Sequence, residues 1–431
     1  MTSAHPTLEQ MAKLLAGKME YDEFLQDVLP HLLAKCETCT ALVREVQRLQ
    51  REIGHWDELV AVHESREAPE LVARLAGLPY EAQLQRAEEE ESLHAWGVCD
   101  LLLKKSRAAA ATDPHRAVDL ATLTVRLSTH LGDAYDPEWV LDLRARAHAH
   151  LANAHRVLGE FRSAEESFRE ADAFLGRSLS GNVRVEAEVL SFKASLRRAQ
   201  RRFDEALELL DRVIAIYKDG DPEDRDLHLA GRTLVEKAYA EIEKCAPEWA
   251  IPLLREAEPL LDRERDPRLL LCLRHNLLDS LAKVGLFAEA DTLVPEVRAL
   301  CQEVGGGLDL VRLRWVEGKI DFGLGRLESA ETAFREVQRE FLNYRLGYDV
   351  ALVSLDLALL YAQEDRTGAL KRLAVELIPA FESREVHREA MAALLMFQAA
   401  CEEERVTVQL ARHLADFLER ERRPAPFPAH S

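Results

Sequence analysis

Residues 151–171 read LANAHRVLGEFRSAEESFREA and contain the pattern that organises most of this chain. The small residue Ala152 is followed by Gly159, and then by a second alanine, Ala164, and a large apolar residue, Phe168. Small side chains in two consecutive helices let the helices approach closely, and a glycine supplies the backbone freedom for the turn between them. The stretch therefore predicts a helical hairpin.

The same arrangement recurs along the chain at a nearly constant period. The position of the second-helix alanine recurs with spacings of 42, 44, 40, 40 and 40 residues, and a leucine occupies it in the last copy. These residues are Ala164, Ala206, Ala250, Ala290, Ala330 and Leu370. A fixed period of this length indicates stacked repeats, in which each hairpin buries its apolar face against its neighbours. Only 19 glycines and 16 prolines occur in 431 residues, which also favours an all-α fold.

This array resembles the tetratricopeptide repeat family, in the variety whose units have about 40 residues. The resemblance covers residues 137–421 and implies a right-handed solenoid of helical hairpins. Three copies depart from the pattern, since Arg201, Cys245 and Asp365 replace the turn glycine. The whole chain is expected to comprise a small N-terminal helical module (1–66), a helical connector with a degenerate capping repeat (67–135), the array (136–421) and a disordered tail (422–431).

Composition and charge exclude several classes of protein. Acidic residues number 76 against 56 basic ones, and the net charge of −20 argues against general binding of nucleic acid or anionic membranes. No segment approaches the roughly 20 apolar residues of a membrane span, and the first ten residues lack the features of a secretory signal. The seven scattered cysteines indicate no disulfide framework. We expect a cytoplasmic protein.

The chain lacks the sequence motifs of common enzymes. It contains no glycine-rich phosphate loop, no nucleophile elbow and no HExxH zinc-protease helix. The run of four glutamates at residues 88–91 is typical of a solvated helix face. We therefore expect a protein that is not an enzyme and that acts by binding.

The N-terminal segment HLLAKCETC carries His31, Cys36 and Cys39, which are three suitable ligands for tetrahedral zinc. This segment resembles the zinc-binding domain of bacterial anti-sigma factors. The preceding LLAGKMEYDEF, residues 14–24, is similar to the opening helix and turn of that family. Members often have a further ligand upstream of the histidine, and the resemblance implies His5 for that role.

The spacing between His31 and Cys36 departs from that family by one residue. Four residues separate the two side chains, one more than usual. On an ideal helix the extra residue rotates the cysteine by about 100°. Two alternatives remain. Either the helix breaks before Cys36 and the cluster binds at most one zinc ion, or Cys36 and Cys39 are ordinary residues of a metal-free bundle.

The tetratricopeptide resemblance places the first helix of each hairpin along an inner groove. The residues predicted to face it are Arg146, Asn153, Arg156, Arg198, Arg232, Arg312, Trp315 and Lys319. Asn153 occupies the place where peptide-binding members carry an asparagine that bonds the ligand backbone, and Trp315 is a candidate apolar anchor. The pattern predicts a groove for an acidic or carboxylate-bearing segment. The alternative is that these arginines pair with neighbouring side chains.

Three functions fit these features. The leading hypothesis is a bacterial regulatory adaptor, whose array binds a protein partner and whose N-terminal module binds another protein or a metal. The anti-sigma resemblance implies a sigma factor as one specific partner. The alternatives are a receptor whose solenoid tightens around a short signal peptide, and a non-catalytic subunit of an enzyme complex.

Overall fold

A computed structural model describes residues 5–7, 10–11, 14, 28–33, 36, 38–39, 41–42, 58–132, 135–220, 225–376, 397, 400–401 and 407–421. Over these residues the protein is helical and contains no β-strand, which confirms the predicted all-α class. None of the helices described combines the length and the apolarity that crossing a bilayer requires. The chain divides into two compact units.

The first unit comprises the described residues up to Arg212, together with Gly220 and Arg225. Its helices are α1 (Leu29–Leu33), α2 (Glu58–Ala76), α3 (Tyr80–Glu89), α4 (Trp96–Ala109), α5 (Pro114–Ser128), α6 (Pro137–Leu158), α7 (Phe161–Leu175), α8 (Val183–Ala199) and the first part of α9 (Phe203–Asp219). Helices α4 and α5 form one hairpin, and α6 and α7 form the next. The first helices α4, α6 and α8 contact one another in sequence order, which is the packing of consecutive repeats.

The second unit comprises Val213–Asp219 and the described residues from Asp226 onward. Its further helices are α10 (Leu227–Glu243), α11 (Pro247–Ala257), α12 (Pro267–Lys283), α13 (Phe287–Val304), α14 (Gly307–Gly323), α15 (Leu327–Asn343), α16 (Gly347–Gln363), α17 (Thr367–Glu376) and α18 (Val408–Glu421). They pair as the hairpins α10–α11, α12–α13, α14–α15 and α16–α17, and the first helices α10, α12, α14 and α16 again contact in order. We call each such set of adjoining first helices a first-helix row.

The boundary expected between the N-terminal module and the connector falls inside a helix. Helix α2 runs continuously through residue 66, where the sequence placed the end of the N-terminal module. It is fastened to the start of α4, because the Glu64 carboxylate accepts hydrogen bonds from the Gly97 N–H at 2.9 Å and from the Tyr135 hydroxyl at 2.5 Å. The two backbones approach so closely that a Cβ at position 97 would lie 2.8 Å from the Glu64 carbonyl carbon.

The turns of the hairpins share one backbone conformation whether or not they contain glycine. The left-handed residue stands five positions before the second-helix alanine in each copy, with φ between 55° and 81°, at Gly159, Arg201, Cys245, Gly285, Gly325 and Asp365. An L-residue other than glycine pays roughly 1–2 kcal/mol to adopt this conformation. Packing of the two helices therefore imposes the left-handed turn even where the residue is not glycine and this conformation is unfavourable.

The second-helix alanines lie at the centre of the hairpins, as predicted. Ala164, Ala206, Ala250, Ala290 and Ala330 are fully buried, and Leu370 is 5% exposed. The opposing position of the first helix is equally tight. A Cβ at Gly318 would lie 2.7 Å from a ring carbon of Phe334, so α14 and α15 could not keep their separation with any larger residue there.

Helix α16, the first helix of the last hairpin, is buried on nearly all sides. Thirteen of its seventeen residues are buried, which is the pattern of a helix surrounded by others. Helix α18 covers its outer side through Ala411, Leu414 and Leu418, and the Tyr348 hydroxyl donates a hydrogen bond to the Leu418 carbonyl. Helix α18 is therefore the cap of the second unit.

Replacing Ala330 by leucine should destabilise the protein by about 1–3 kcal/mol, because the added methyl groups would overpack the α14–α15 hairpin. Urea unfolding followed by circular dichroism measures the loss. Ala288→Leu is the matched control, since Ala288 is exposed on α13 and should change the free energy of unfolding little. An unchanged midpoint for Ala330→Leu would show that the repeat frame is misplaced.

Candidate functional site

The N-terminal cluster consists of His5, His31, Cys36 and Cys39. Helix α1 carries His31 and ends at Leu33. The Cys36 N–H then donates to the His31 carbonyl at 3.2 Å, five residues back instead of four. This wider turn takes up the extra residue between histidine and cysteine and returns Cys36 to the side of His31. Cys36 itself is not helical, whereas His31 is.

His5 is placed by the start of an N-terminal helix. The Thr7 N–H donates to Gln10 Oε1 at 2.9 Å, and the Gln10 N–H donates to Thr7 Oγ1 at 3.1 Å. This reciprocal pair is a capping box, and the sequence TLEQ at residues 7–10 has the pattern typical of one. The box determines how the chain enters the helix, and His5 lies just before it, next to the buried Pro6.

The four potential ligand atoms lie within 4.8 Å of one another. His5 Nδ1 is 3.4 Å from Cys36 Sγ and 3.7 Å from Cys39 Sγ. The rings of His5 and His31 are 5.0 Å apart and tilted by 55°. In a tetrahedral zinc site with Zn–S about 2.3 Å and Zn–N about 2.0 Å, nitrogen and sulfur ligands are separated by about 3.5 Å. The donor set and its spacing therefore fit zinc.

The two thiols of this cluster differ in their titration. A hydrogen bond from the Cys39 backbone N–H, assisted by the His31 side chain, lowers the pKa of Cys36 to about 6. Burial, together with Cys36 beside it, raises the pKa of Cys39 above its usual value. At neutral pH the first sulfur is thus mainly thiolate and the second is protonated.

The first-helix row of the first unit contains a buried network of charges. Arg146 on α6 donates from Nε to Glu188 of α8 at 2.8 Å and lies 3.3 Å from Asp100 of α4. His150 Nε2 is 3.0 Å from the other oxygen of Glu188. Burial opposes ionisation of Glu188, but Arg146 and His150 outweigh it and hold the pKa of this carboxyl well below its usual range. Three consecutive first helices are thereby linked through one guanidinium.

Asn153 lies on the same row and is 7% exposed. Its Oδ1 accepts two hydrogen bonds from Arg156, from Nε at 3.0 Å and from a terminal nitrogen at 2.9 Å. Because a guanidinium only donates, these bonds settle which amide atom is oxygen. The two N–H groups of the amide have no acceptor within the described part of the chain. Arg198, the remaining predicted residue of this unit, is buried.

In the second unit, two of the predicted groove residues form a cluster. Lys319 lies 3.8 Å from Asp279 and 4.4 Å from the centroid of the Trp315 ring. The Trp315 indole N–H donates to Asp356 at 2.6 Å, and the ring is 7% exposed. Trp315 therefore offers little open surface as an apolar anchor. Burial opposes ionisation of Asp279, but Lys283 and Lys319 outweigh it and lower its pKa.

The other predicted cations of this unit differ from one another. Arg232 pairs with Glu236 one helical turn away, at 3.4 Å. Arg312 on α14 forms no ion pair or hydrogen bond with the residues that the structure describes.

The acidic residues that neutralise the first-helix row of the first unit could be found only in part from sequence. Glu188 shares the repeat position of Arg146, whereas Asp100 lies in the expected connector, where the repeat pattern is too weak to align.

Part of the sequence and the overall fold are similar to known proteins. Residues 189–225, which cover most of α8 and α9, match the family model of the tetratricopeptide repeat. Aspartyl phosphate phosphatase F from Bacillus subtilis superposes on 89% of this chain and 96% of its own, with a TM-score of 0.52 and 12% identity. The chain therefore contains a tetratricopeptide repeat at residues 189–225.

Two further comparisons concern a second solved structure and the curated proteins. A Rap protein solved in complex with competence and sporulation factor aligns with 74% of this chain and 89% of its own, at a TM-score of 0.49 and 12% identity. No curated protein matches the sequence. At this identity the likeness to solved structures concerns the fold alone.

Replacing Glu188 by glutamine should cost about 1–3 kcal/mol at pH 7, because Arg146 and His150 lose a charged partner. A carboxyl whose pKa is depressed in the folded state stabilises the fold above its unfolded pKa of about 4.3. That contribution is lost as pH falls toward the folded value. The difference between wild type and Glu188→Gln in urea unfolding should therefore narrow progressively below about pH 5. A constant difference from pH 7 to pH 4 would contradict the assigned network.

Proposed function

We propose that this tetratricopeptide-repeat protein is a regulatory scaffold without catalysis of its own, and that the first-helix row of the first unit binds an extended segment of a partner protein. The observation that carries the proposal is the amide of Asn153. Its oxygen is engaged by Arg156 while its N–H groups remain available. An extended segment presents backbone carbonyl oxygens along its length, and these are the acceptors that such a donor requires.

The energetics support a ligand at this position. The amide nitrogen of Asn153 is not among the buried atoms that lack a partner, so water reaches it in the free protein and a ligand carbonyl can replace that water. Arg156 holds the amide in one orientation before the ligand arrives, so little side-chain entropy is lost on binding. The neighbouring Arg146 is already neutralised by Asp100 and Glu188. Recognition in this unit therefore depends on backbone hydrogen bonds more than on an acidic sequence.

Asn153→Asp is the sharpest test, because it changes two donors into an acceptor at almost constant size. The aspartate keeps its contact with Arg156, so the fold should be preserved. A ligand carbonyl would then face a carboxylate, and capture of the partner should fall at least tenfold. Affinity purification from native cells with quantitative mass spectrometry measures capture by the wild-type protein and the variant.

Asn343→Asp is the matched control for this test, since Asn343 is exposed at the end of α15. It should capture the same proteins as the wild type. Equal capture by Asn153→Asp would place the partner on another surface and overturn the proposal. Co-elution of a short peptide alone, lost in the variant, would favour the peptide-sensing receptor over the adaptor.

The N-terminal cluster supports a second part of the proposal, which is a structural zinc ion. His5, His31, Cys36 and Cys39 would supply four protein ligands and leave no open position, as in structural rather than catalytic sites. Bound there, zinc would fasten the segment before the capping box to the end of α1. The likeness to anti-sigma factors makes a bacterial sigma factor the first partner to test for this module, in a cytoplasmic protein.

Metal analysis of protein purified without chelators should give one zinc per chain, and the double variant Cys36→Ser, Cys39→Ser should lose it because two ligands are removed. The exposed Cys245→Ser is the control and should retain the metal. Stoichiometric zinc in the double variant would move the site elsewhere. If the module binds a sigma factor, purified sigma factors should be retained by the wild type and by Cys245→Ser, and lost with the zinc.

A further inference from the structure

Helix α11 carries an exposed tryptophan at a position that is polar or buried in the other repeats. Trp249 stands directly before the second-helix alanine and is 64% exposed, whereas Trp96 and Trp315 are buried. The other copies have at this position Ser163, Glu205, Glu289, Ser329 and the buried Ala369. The repeat therefore folds without an aromatic residue here.

A second position of the same helix changes from polar to apolar. Pro252 is exposed, two residues after the second-helix alanine. The other copies have exposed polar residues at this position, which are Glu166, Glu208, Thr292, Thr332 and Arg372. Successive residues of a helix are about 100° apart, so Pro252 points away from the buried Ala250. Trp249 then lies on one side of Pro252 and Ile251 on the other.

On the side of Ile251, two apolar residues replace an ion pair between neighbouring repeats. At three other places the residue after the left-handed turn is an arginine that pairs with an acidic residue of the preceding repeat. These pairs are Arg202–Glu165, Arg326–Asp291 and Arg366–Glu331, with nitrogen–oxygen distances of 3.9, 2.8 and 2.6 Å. Leu286, which is 47% exposed, takes the place of the arginine, and Ile251 takes the place of the acid. We call Trp249, Pro252 and Leu286 the α11 patch.

The stability of the array does not require the α11 patch, because the equivalent helices of the other copies pack with polar residues at these positions. Exposed apolar patches on folded proteins mark sites of interaction, and tryptophan is among the residues most enriched where binding energy is concentrated. The replacement of three polar positions at one place in the array therefore indicates a surface that another molecule covers.

Charges of opposite sign lie side by side around the α11 patch. These charges are Lys244 and Glu248 at the start of α11, Arg255 with its partner Glu289, and Glu256 with its partner Lys218. They cancel one another, although the chain as a whole has a net charge of −20. Two copies of the chain repel one another over most of their surface, and this repulsion is least where the charges cancel. The charge pattern therefore favours a second copy of the chain over a partner that is selected by its charge.

We propose that the α11 patch is the interface of a symmetric homodimer. In a two-fold interface the same surface faces itself, so a border with both signs of charge meets its own complement. With antiparallel α11 helices and the axis between positions 249 and 252, the indole of Trp249 lies on Pro252 of the partner subunit, and this contact occurs twice. Leu286 extends the apolar contact on the side of Ile251. The interface is formed by second helices and does not depend on what the first-helix row binds.

Sedimentation velocity of the full chain over about two decades of concentration tests this interface. The wild type should shift from monomer to dimer as its concentration rises. Trp249→Ser introduces the residue found at the equivalent Ser163 and Ser329, and it should weaken the dimer about tenfold or more because a central anchor is lost. Leu179→Ser is the matched control, since Leu179 is 86% exposed between α7 and α8 and the variant should dimerise like the wild type.

A second variant and the salt dependence make the test independent of a single substitution. Pro252→Thr introduces the residue of the equivalent Thr292 and Thr332 and should also weaken the dimer. Raising the salt concentration should strengthen the wild-type dimer, because screening reduces the repulsion between two chains of net charge −20 while the apolar contact is retained. Urea unfolding of dilute protein should give both variants at least the midpoint of the wild type.

A wild type that stays monomeric at every concentration would overturn the homodimer. Unchanged dimerisation of both Trp249→Ser and Pro252→Thr would place the interface elsewhere, and a dimer that weakens as salt increases would show that it is ionic. A monomeric wild type that captures another protein through Trp249 would assign the α11 patch to that protein instead.

Discussion

The close approach of two helices at a small residue is the contact on which the rest of this structure depends. Each ladder alanine is fully buried, and at Gly318 there is no room even for one methyl group against Phe334. Because protein interiors are packed as densely as organic crystals, this separation admits little variation. It determines the turn, the angle at which the next hairpin stacks, and hence which side chains of consecutive first helices can meet.

The turns show how strongly this packing dominates local preference. Arg201, Cys245 and Asp365 adopt the same left-handed conformation as the glycines of the other copies. The cost of a left-handed L-residue is of the order of 1–2 kcal/mol, less than the apolar burial that a whole hairpin gains. The conformation is therefore a property of the repeat, and glycine only makes it easier.

Stacking of first helices also explains the electrostatics of the row. Side chains from α4, α6 and α8 converge on Arg146, and side chains from α12 and α14 converge on Asp279. Neutralisation within the chain keeps these charges paired in a partly desolvated place, where lone charges are costly. In the first unit, the amide N–H groups of Asn153 have no such partner among the residues that the structure describes, and they remain available to a ligand.

The sequence alone determined the helical class and the repeat frame, because each depends on local spacing. It also singled out the four side chains of the N-terminal cluster, with His5 coming from the family resemblance. A ladder of small residues encodes helix contact directly, and the capping box at Thr7 and Gln10 positions His5 through neighbours in the chain. Only the tertiary structure shows that Cys36 lies beside His31 despite the extra residue between them, because its position depends on one backbone hydrogen bond to His31. Only it decided which cations are neutralised, because Asp100 and Arg146 come from different hairpins. Charge pairing between repeats depends on distances of a few ångströms across helices, and a periodic sequence does not specify these distances.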